Sequence, residues 1–345
     1  MGNVNMRDVA ALAGVSVGTV SNVLNAPDRV SEGSRLKVQA AIEKLGWVRN
    51  ESARQLRAGQ SRLIGMVVLD IANPFFTDMA KAAEETAHEM GFAVHIGNSD
   101  QQPQREDTHL ERFEQQRVGG VLLAPVGEAG QRIQRLRALG IPVVLLDRAS
   151  EASEVCSVAV DDIEGGRVAV QHLLDMGHRR IAFVGGPSSL AQVRSRLQGA
   201  RYATRTYPGA RLIEIGVRSL DLGCGVEAAT AVAELPAEDR PTAVFAANDL
   251  LAIGMLQGLL RLGFRVPDDI ALVGYDDIDF AAAAAVPLTS VRQPRHEMGA
   301  TAARLLLDEI ARRGSGEHEH SAVRFSPELV IRASSSIRHE PQTSG

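Results

Sequence analysis

The sequence predicts a small all-α head followed by an α/β core of two doubly wound parallel-sheet subdomains. Residues 1–46 show short helical patterns with capping residues and no strand-like run. From Leu63 onward, apolar runs rich in Val, Ile and Leu alternate with amphipathic helical stretches, which is typical of parallel strands buried on both faces. Nine such runs favour two sheets over one. The runs are residues 63–70, 93–98, 119–125, 142–147, 157–162, 180–186, 212–217, 243–249 and 270–277.

The composition is that of an ordinary globular protein. The 345 residues are 45% hydrophobic and 23% charged, which excludes a disordered or fibrous chain and allows two or three domains. The two cysteines, Cys156 and Cys224, lie far apart in the sequence and favour a reducing compartment over a disulfide framework. Neither a signal peptide nor a long apolar membrane span is evident. We therefore expect a cytoplasmic protein without a membrane partner.

The net charge of −5 combines two regions of opposite sign. Taken alone, it argues against nucleic-acid binding, for which a basic surplus is usual. Residues 1–60, however, contain eight basic and five acidic side chains, a local charge of +3, whereas the remaining 285 residues contain 29 basic and 37 acidic side chains, a charge of −8. Since phosphate contacts depend on local charge, the head remains a candidate for binding nucleic acid.

The head has the pattern of a helix-turn-helix. Asn5 is a suitable N-cap with Asp8 as its capping-box partner, and Val9, Leu12 and Ala13 have the spacing of an apolar helix face. Gly14 allows a sharp exit, and Ser16 caps a second helix over residues 17–25. A third helix runs from near Ser31 to Gly46, a C-cap glycine. In a helix-turn-helix of this kind, the second helix is the one that enters the DNA major groove.

The exposed face of the second helix provides the candidate DNA-binding residues. Its apolar side is taken by Val20, Val23 and Leu24, which leaves small and hydroxylated side chains for close approach to phosphates. Asn22 can bond an adenine edge through both amide atoms. A helical packing module that does not bind DNA is the alternative. The candidates are Ser16, Val17, Gly18, Thr19, Ser21, Asn22 and Asn25.

The same residues carry a resemblance to a known family. MRDVAALAGVSVGTVSNVLN in the head, and TAVFAANDLLAIGML and RVPDDIALVGYDDIDFAAAAAVPLTSVRQP in the core, resemble the LacI/GalR (lactose-repressor) family of bacterial transcription regulators. The similarity extends over nearly the whole chain, and the core is also similar to periplasmic sugar-binding proteins. It implies a nucleoid-associated repressor that binds palindromic double-stranded operator DNA as a homodimer. A small effector, a sugar or glycoside, is implied in the core cleft.

Two alternative functions remain open. A purine- or nucleoside-responsive relative would act as a corepressor-type regulator, and a sugar-binding protein could have no DNA role. The sequence also departs from the family at Asn22, where relatives commonly carry an Arg that reads guanine. Asn favours adenine, so we expect an operator altered at that half-site position.

The resemblance also implies the domain limits. The helix-turn-helix covers residues 1–47, a hinge 48–61, the effector and dimerisation core 62–338, and a polar tail 339–345. The core divides into an N-subdomain of about 62–160 and 292–322 and a C-subdomain of about 161–291 and 323–338.

The hinge contains a helix too short to be stable alone in water. By similarity to the family it folds on DNA, where Leu56 enters the minor groove and wedges a base step. Ala53 is small enough for close approach, and Arg54 can reach phosphate. A plain linker is the alternative.

Polar residues at strand ends are the candidates for the effector site, because ligands of open α/β sheets bind there. Leu220 falls where many relatives have an aromatic ring, which weakens a ring-stacking wall and puts a typical hexose in doubt. Asp162 and Asp249 are alternatively helix N-caps, Arg196 alternatively a salt bridge between subdomains, and one of Phe75 and Phe76 belongs to the core. The candidates are Asn73, Phe75, Asp147, Arg196, Leu220, Asn248, Asp276 and Gln293.

No enzyme, cofactor or metal motif is evident in the sequence. Nucleophile-elbow, P-loop and zinc-protease patterns do not occur, which argues against an enzyme and against a resident cofactor. His318 and His320 are closely spaced near the C-terminal end. Because no Cys or further His follows at ligand spacing, a solvated loop is favoured over a metal site.

Overall fold

The computed structural model describes residues 4–47, 61–150, 155–313 and 318–336. The chain forms two compact units, Met1–Gln60 and Ser61–Gly345. The predicted hinge residues Ala53, Arg54 and Leu56 lie outside the described residues. Within the described ranges, no helix is long and apolar enough to cross a membrane.

The head contains the three predicted helices. Asn5 and Asp8 form the capping box of the first helix, Ser16 accepts a hydrogen bond from the Thr19 amide, and Gly14 ends the first helix in the left-handed conformation. Leu12 is 45% exposed, so the apolar face is narrower than the sequence spacing suggested. The helices are α1 (Met6–Ala13), α2 (Val17–Asn25) and α3 (Glu32–Leu45), with a 3-10 turn at Pro27–Arg29.

The head buries a small apolar cluster where its helices meet. Val9, Val20 and Val38, one from each helix, are fully buried. The outer face of α2 is thereby left to solvent.

The core has twelve strands and nine helices among its described residues. The strands are β1 (Leu63–Val68), β2 (Ala93–Asn98), β3 (Gly120–Leu123), β4 (Val143–Leu146), β5 (Cys156–Val160), β6 (Arg180–Gly185), β7 (Arg211–Gly216), β8 (Ala243–Ala246), β9 (Ala271–Asp276), β10 (Thr289–Arg292), β11 (Ala322–Phe325) and β12 (Glu328–Val330). The helices are α4 (Pro74–Glu89), α5 (Pro103–Gln116), α6 (Gly130–Ala138), α7 (Asp162–Asp175), α8 (Ala191–Arg205), α9 (Leu222–Glu234), α10 (Asp249–Arg261), α11 (Asp279–Ala283) and α12 (Arg295–Ala311).

These strands form two sheets, which confirms the predicted architecture. The N-terminal sheet has the order β11-β5-β4-β3-β1-β2 and is parallel throughout. The C-terminal sheet has the order β12-β10-β9-β8-β6-β7, and only its edge strand β12 runs antiparallel. The central strands are buried runs of aliphatic residues, as expected for sheets covered on both faces.

The chain passes between the sheets three times. It leaves the N-terminal sheet after β5, returns between Arg292 and Arg295, and leaves again between Phe325 and Glu328. The last crossing was expected at 322/323 but lies three residues later, because β11 pairs with β5 through Phe325. Strand β10 was not predicted, because it has only four residues and a proline lies close to either end.

Two glycines allow helices α7 and α8 to approach each other closely. A Cβ atom at Gly199 would overlap the carbonyl oxygen of Ile163, and one at Gly166 would overlap that of Arg196. This close packing sets the distance between the two helices, and hence the position of Arg196 relative to Asp162 at the start of α7.

We expect Gly199→Ala to destabilise the core by about 1–3 kcal/mol, because the added methyl group must displace backbone. Gly216→Ala is the matched control, since a Cβ there would have no atom of the described residues within 4 Å other than those of its chain neighbours. Urea unfolding midpoints of both variants and the parent measure the effect. Equal midpoints for the two variants would contradict the packing argument.

Candidate DNA-binding surface and effector site

The structure exposes most of the predicted DNA-binding residues on one side of α2. Ser16, Val17, Gly18, Asn22 and Asn25 are exposed, while Thr19 and Ser21 are half-buried. Thr19 and Ser21 share hydrogen bonds with Ser16 and Asn25, respectively. Among the described residues, the side-chain amide of Asn22 has no hydrogen-bond partner in the head. It is therefore available to an external group.

Among the described residues of the head, no close packing requires a glycine at position 18. Within the described residues, the nearest atom to a Cβ built there would be the Ser16 hydroxyl oxygen at 3.6 Å. Glycine inside a helix is less stable than alanine by about 0.5–1 kcal/mol. A partner that approaches the α2 backbone closely would account for a glycine here.

A small cavity lies at the carboxyl ends of the strands in the core. Its volume is about 30 Å³, room for about two water molecules. It lies between residues of the two sheets, at the predicted position. The lining residues are Leu69, Asp70, Asn73, Phe75, Phe76, Gln101, Asp147, Leu190, Gln192, Val193, Arg196, Leu220, Asn248 and Asp276.

Hydrogen bonds from one subdomain to the other close this cavity. The Asn73 amide donates to Asp276 Oδ2 at 3.1 Å, and the Gln192 amide donates to Asp147 Oδ2 at 2.7 Å. Gln293, in the second crossing, donates to Asp276 Oδ1 at 2.8 Å. A polar ligand that enters the cleft would have to replace these bonds.

Arg196 is held entirely within the C-subdomain. Its Nε donates to Asp162 at 2.8 Å, one of its terminal nitrogens donates to the Ala247 carbonyl at 2.7 Å, and the guanidinium lies 3.7 Å from the centre of the Tyr275 ring. The Asp276 carboxylate is 3.8 Å away. These contacts do not support the alternative that Arg196 is a salt bridge between subdomains.

Three polar residues of the cavity have unusual backbone angles. Gln101, Asp147 and Asp276 have φ values of 55°, 52° and 106°, in a region that residues with a side chain rarely adopt. Such strain is concentrated at functional sites, where the surrounding structure maintains it.

The cavity also has polar oxygens without partners. Within the described part of the chain, Gln101 Oε1, Asp147 Oδ1 and Gln192 Oε1 are buried and make no hydrogen bond. Buried polar groups are normally bonded, so these three atoms are open to hydrogen bonds from a group that enters the cavity, whether water or a ligand.

Comparison with known proteins places both units in one family. A family model described as bacterial regulatory proteins, lacI family, matches residues 5–50, and a periplasmic binding protein-like domain matches residues 170–335. The ribose operon repressor of Escherichia coli (strain K12) is 35% identical over 314 residues, which cover 88% of this chain and 92% of that protein. The chain belongs to the LacI family.

Two solved structures of similar proteins extend the comparison. A complex of the transcriptional regulator CelR with cellobiose is 34% identical, with a TM-score of 0.69 over 96% of this chain and 99% of that one. The lac repressor dimer bound to operator and the anti-inducer ONPF is 28% identical, with a TM-score of 0.81 over 97% of this chain and 99% of that one. This LacI-family chain is therefore a DNA-binding transcriptional regulator.

The structure brings seven of the eight predicted effector residues of this LacI-family core to the cavity. Gln293 does not line it and instead orients Asp276. Phe75 and Phe76 are both buried and both line the cavity, so the expected division of roles between them is wrong. Asn248 caps α10 and also donates to the Leu220 carbonyl, so its amide is already engaged.

Two helix caps and two polar residues of the cavity differ from the prediction. Asp161 and Asn248, not their neighbours Asp162 and Asp249, are the N-caps of α7 and α10. Gln192 and Gln101 were missed. Gln192 lies four residues before Arg196, one helical turn away, and that spacing is the signal that could have identified it.

The environment of His318 also differs from the expectation. Its side chain is only 11% exposed and lies beside Cys156, with Nε2 at 3.2 Å from the sulfur. The expected solvated loop is therefore wrong for His318. The sequence spacing could not show this, because the cysteine precedes the histidine by 162 residues.

Burial changes the acidity of the cavity carboxyls. Burial, reinforced by the charge of Asp162, raises the pKa of Asp147 to about 8. Burial also raises the pKa of Asp276, although Arg196, Asn73 and Gln293 counteract it. Near neutral pH, Asp147 is therefore mainly a protonated group.

We expect Asp147→Asn to weaken the pH dependence of stability. The folded protein retains a proton on Asp147 that the unfolded chain releases, so this group lowers stability as pH rises from about 4 to about 8. Urea unfolding between pH 5 and pH 8.5 should show a smaller loss of stability for the variant than for the parent. The control Asp175→Asn, at an exposed position, should lose as much stability over this pH range as the parent. A loss in the Asp147→Asn variant as large as in the parent would contradict the assignment.

Proposed function

We propose that this regulator is a repressor that binds pseudo-palindromic operator DNA as a homodimer and is controlled by a sugar-like effector in the core cavity. The similarity to the lac repressor dimer on its operator supports the DNA and dimer assignments. We also propose that the protein acts by binding alone, without catalysis, in the cytoplasm at the nucleoid.

The three buried oxygens without partners support a sugar-like effector. A polyhydroxylated ligand supplies hydroxyl groups that can both donate and accept hydrogen bonds, which suits Asp147, Gln101 and Gln192. Phe75 and Leu220 provide an apolar wall for a ring face. The cellobiose complex of a relative at 34% identity agrees with a carbohydrate.

The small size of the closed cavity connects ligand binding to a change of shape. A cavity of about 30 Å³ is too small for a sugar, and it adjoins a more open pocket of about 140 Å³ that shares Asp147 and Gln192, so a separation or rotation of the subdomains would admit one. The ligand then replaces the bonds of Asn73 and Gln192 across the cleft. Induction follows if the operator-bound form resembles the state without sugar, whereas a purine-like corepressor would favour the DNA-bound form.

Asn22 provides a test of the DNA-binding surface. Selection of binding sites from random DNA should yield a palindrome with adenine at one position of each half-site, because the Asn amide pairs with the adenine edge. Asn22→Arg should change that base to guanine and leave the other positions unchanged. Recovery of guanine by the parent protein would contradict the role of Asn22, and failure of both proteins to select any site would contradict operator binding.

Gln192 provides a test of the effector site. In a thermal-shift screen of sugars, glycosides and nucleobases, we expect a sugar-like compound to raise the melting temperature and to alter operator affinity. Gln192→Leu should weaken binding of that compound about tenfold, since it removes a buried hydrogen-bonding group. Gln171→Leu, at a half-buried position of α7 away from the cavity, is the matched control. A response to nucleobases only would favour the corepressor alternative, and equal affinities for the two variants would contradict the site.

A further inference from the structure

Three elements of the N-subdomain bring a cysteine, two histidines and a glutamate together. Cys156 begins β5, Glu309 lies near the end of α12, and His318 and His320 lie in the segment that enters β11. One ligand atom from each lies within 4.8 Å of the others. None of the four residues lines the effector cavity. We propose that they form a tetrahedral binding site for a divalent metal ion of the zinc class.

The distances between the four side chains suit one small ion. Cys156 Sγ lies 3.2 Å from His318 Nε2 and 3.8 Å from His320 Nδ1, and His318 Nε2 lies 3.7 Å from Glu309 Oε2. In a tetrahedral site with zinc–ligand bonds of about 2.0–2.3 Å, neighbouring ligand atoms are about 3.3–3.8 Å apart. Only small side-chain movements are therefore needed to complete the coordination.

The donor atoms select the class of metal. One thiolate, two imidazole nitrogens and one carboxylate oxygen form a mixed set that suits zinc and not magnesium or calcium, which require oxygen ligands. The thiolate and carboxylate would neutralise the two charges of the ion. Within the described residues, Glu309 Oε2 is buried and makes no hydrogen bond, although it is an acceptor.

Neighbouring groups orient the ligands. Asp308 Oδ2 lies 3.0 Å from His318 Nδ1, so the proton on Nδ1 faces the carboxylate and Nε2 presents its lone pair to the site. A carboxylate partner of this kind commonly supports histidine ligands of metals. The Ser321 amide donates to Cys156 Sγ at 3.4 Å, which stabilises a thiolate.

Metal binding requires two proton movements. The Cys156 thiol releases its proton to solvent as the sulfur–metal bond forms. A terminal nitrogen of Arg137 lies 3.2 Å from His320 Nε2. Because the guanidinium can only donate, Nε2 accepts this hydrogen bond and the ring proton lies on Nδ1. Coordination through Nδ1 moves this proton to Nε2, so the exposed Arg137 side chain must turn away. The ion would then connect β5, α12 and the segment leading to the third crossing.

Cobalt(II) is a suitable probe because a tetrahedral thiolate site gives it an intense visible spectrum with a sulfur-to-cobalt charge-transfer band. Full-length protein without an affinity tag is treated with chelator and titrated with cobalt(II), then with zinc(II) as competitor. We expect one ion per chain, a tetrahedral spectrum and displacement by zinc. Cys156→Ser should abolish the charge-transfer band and weaken binding about 100-fold, and Asp308→Asn should weaken it about 10–100-fold.

A cysteine and a histidine outside the proposed site provide matched controls. Cys224→Ser, which changes the other buried cysteine, and His296→Gln, which changes an exposed histidine, should leave the spectrum and stoichiometry unchanged. Circular dichroism checks that each variant is folded, and His320→Asn gives an independent test if Cys156→Ser is not. A spectrum without the charge-transfer band, or equal cobalt affinity in the His320→Asn variant and the parent, would overturn the proposal.

Discussion

The buried carboxylate of Asp276 is the group on which the arrangement of the two subdomains depends. It ends β9 in the C-terminal sheet, yet two of its hydrogen bonds come from Asn73 at the start of α4 and from Gln293 in a crossing segment. Arg196 provides the nearest positive charge. A buried charge that loses its partners is strongly unfavourable. The closed cleft is therefore stabilised by satisfying a carboxylate that neither subdomain satisfies alone.

The same requirement explains the packing around the cleft. Arg196 can reach Asp162 and the Ala247 carbonyl because the glycines at 166 and 199 let α7 and α8 approach closely. Its charge is needed there, since Asp162 lies at its Nε, Asp276 lies 3.8 Å from a terminal nitrogen, and the charge of Asp147 also acts on it. Helix packing, charge balance and ligand binding thus depend on one another at this position.

Features set by local interactions could be predicted from the sequence, whereas those set by distant contacts could not. The caps of α1 and α2 involve residues within three positions, so Asn5 and Ser16 were identified correctly. The choice between Asp161 and Asp162 depends on the backbone path after β5, which a pattern does not encode. Cys156 and His318, 162 residues apart, come together only because β11 pairs with β5. The polar cavity residues at strand ends were found because these ends converge in any doubly wound sheet, whereas Arg196 and Leu220 were identified with the help of the family resemblance.

The hydrogen bonds across the cleft also determine how much free energy is needed to open it. Hydrogen bonds to charged groups contribute about 1.5–3 kcal/mol and neutral ones about 1 kcal/mol. The bond from Asn73 to Asp276 belongs to the first kind, and the bond from Gln192 to the protonated Asp147 to the second. A ligand that replaces both regains part of this energy through its own hydroxyl groups. Allosteric coupling free energies are typically about 1–3 kcal/mol, the same order as the two hydrogen bonds that such a ligand would replace. The polar closure of the cleft is thus weak enough to be reversed by one small molecule and strong enough to change DNA occupancy.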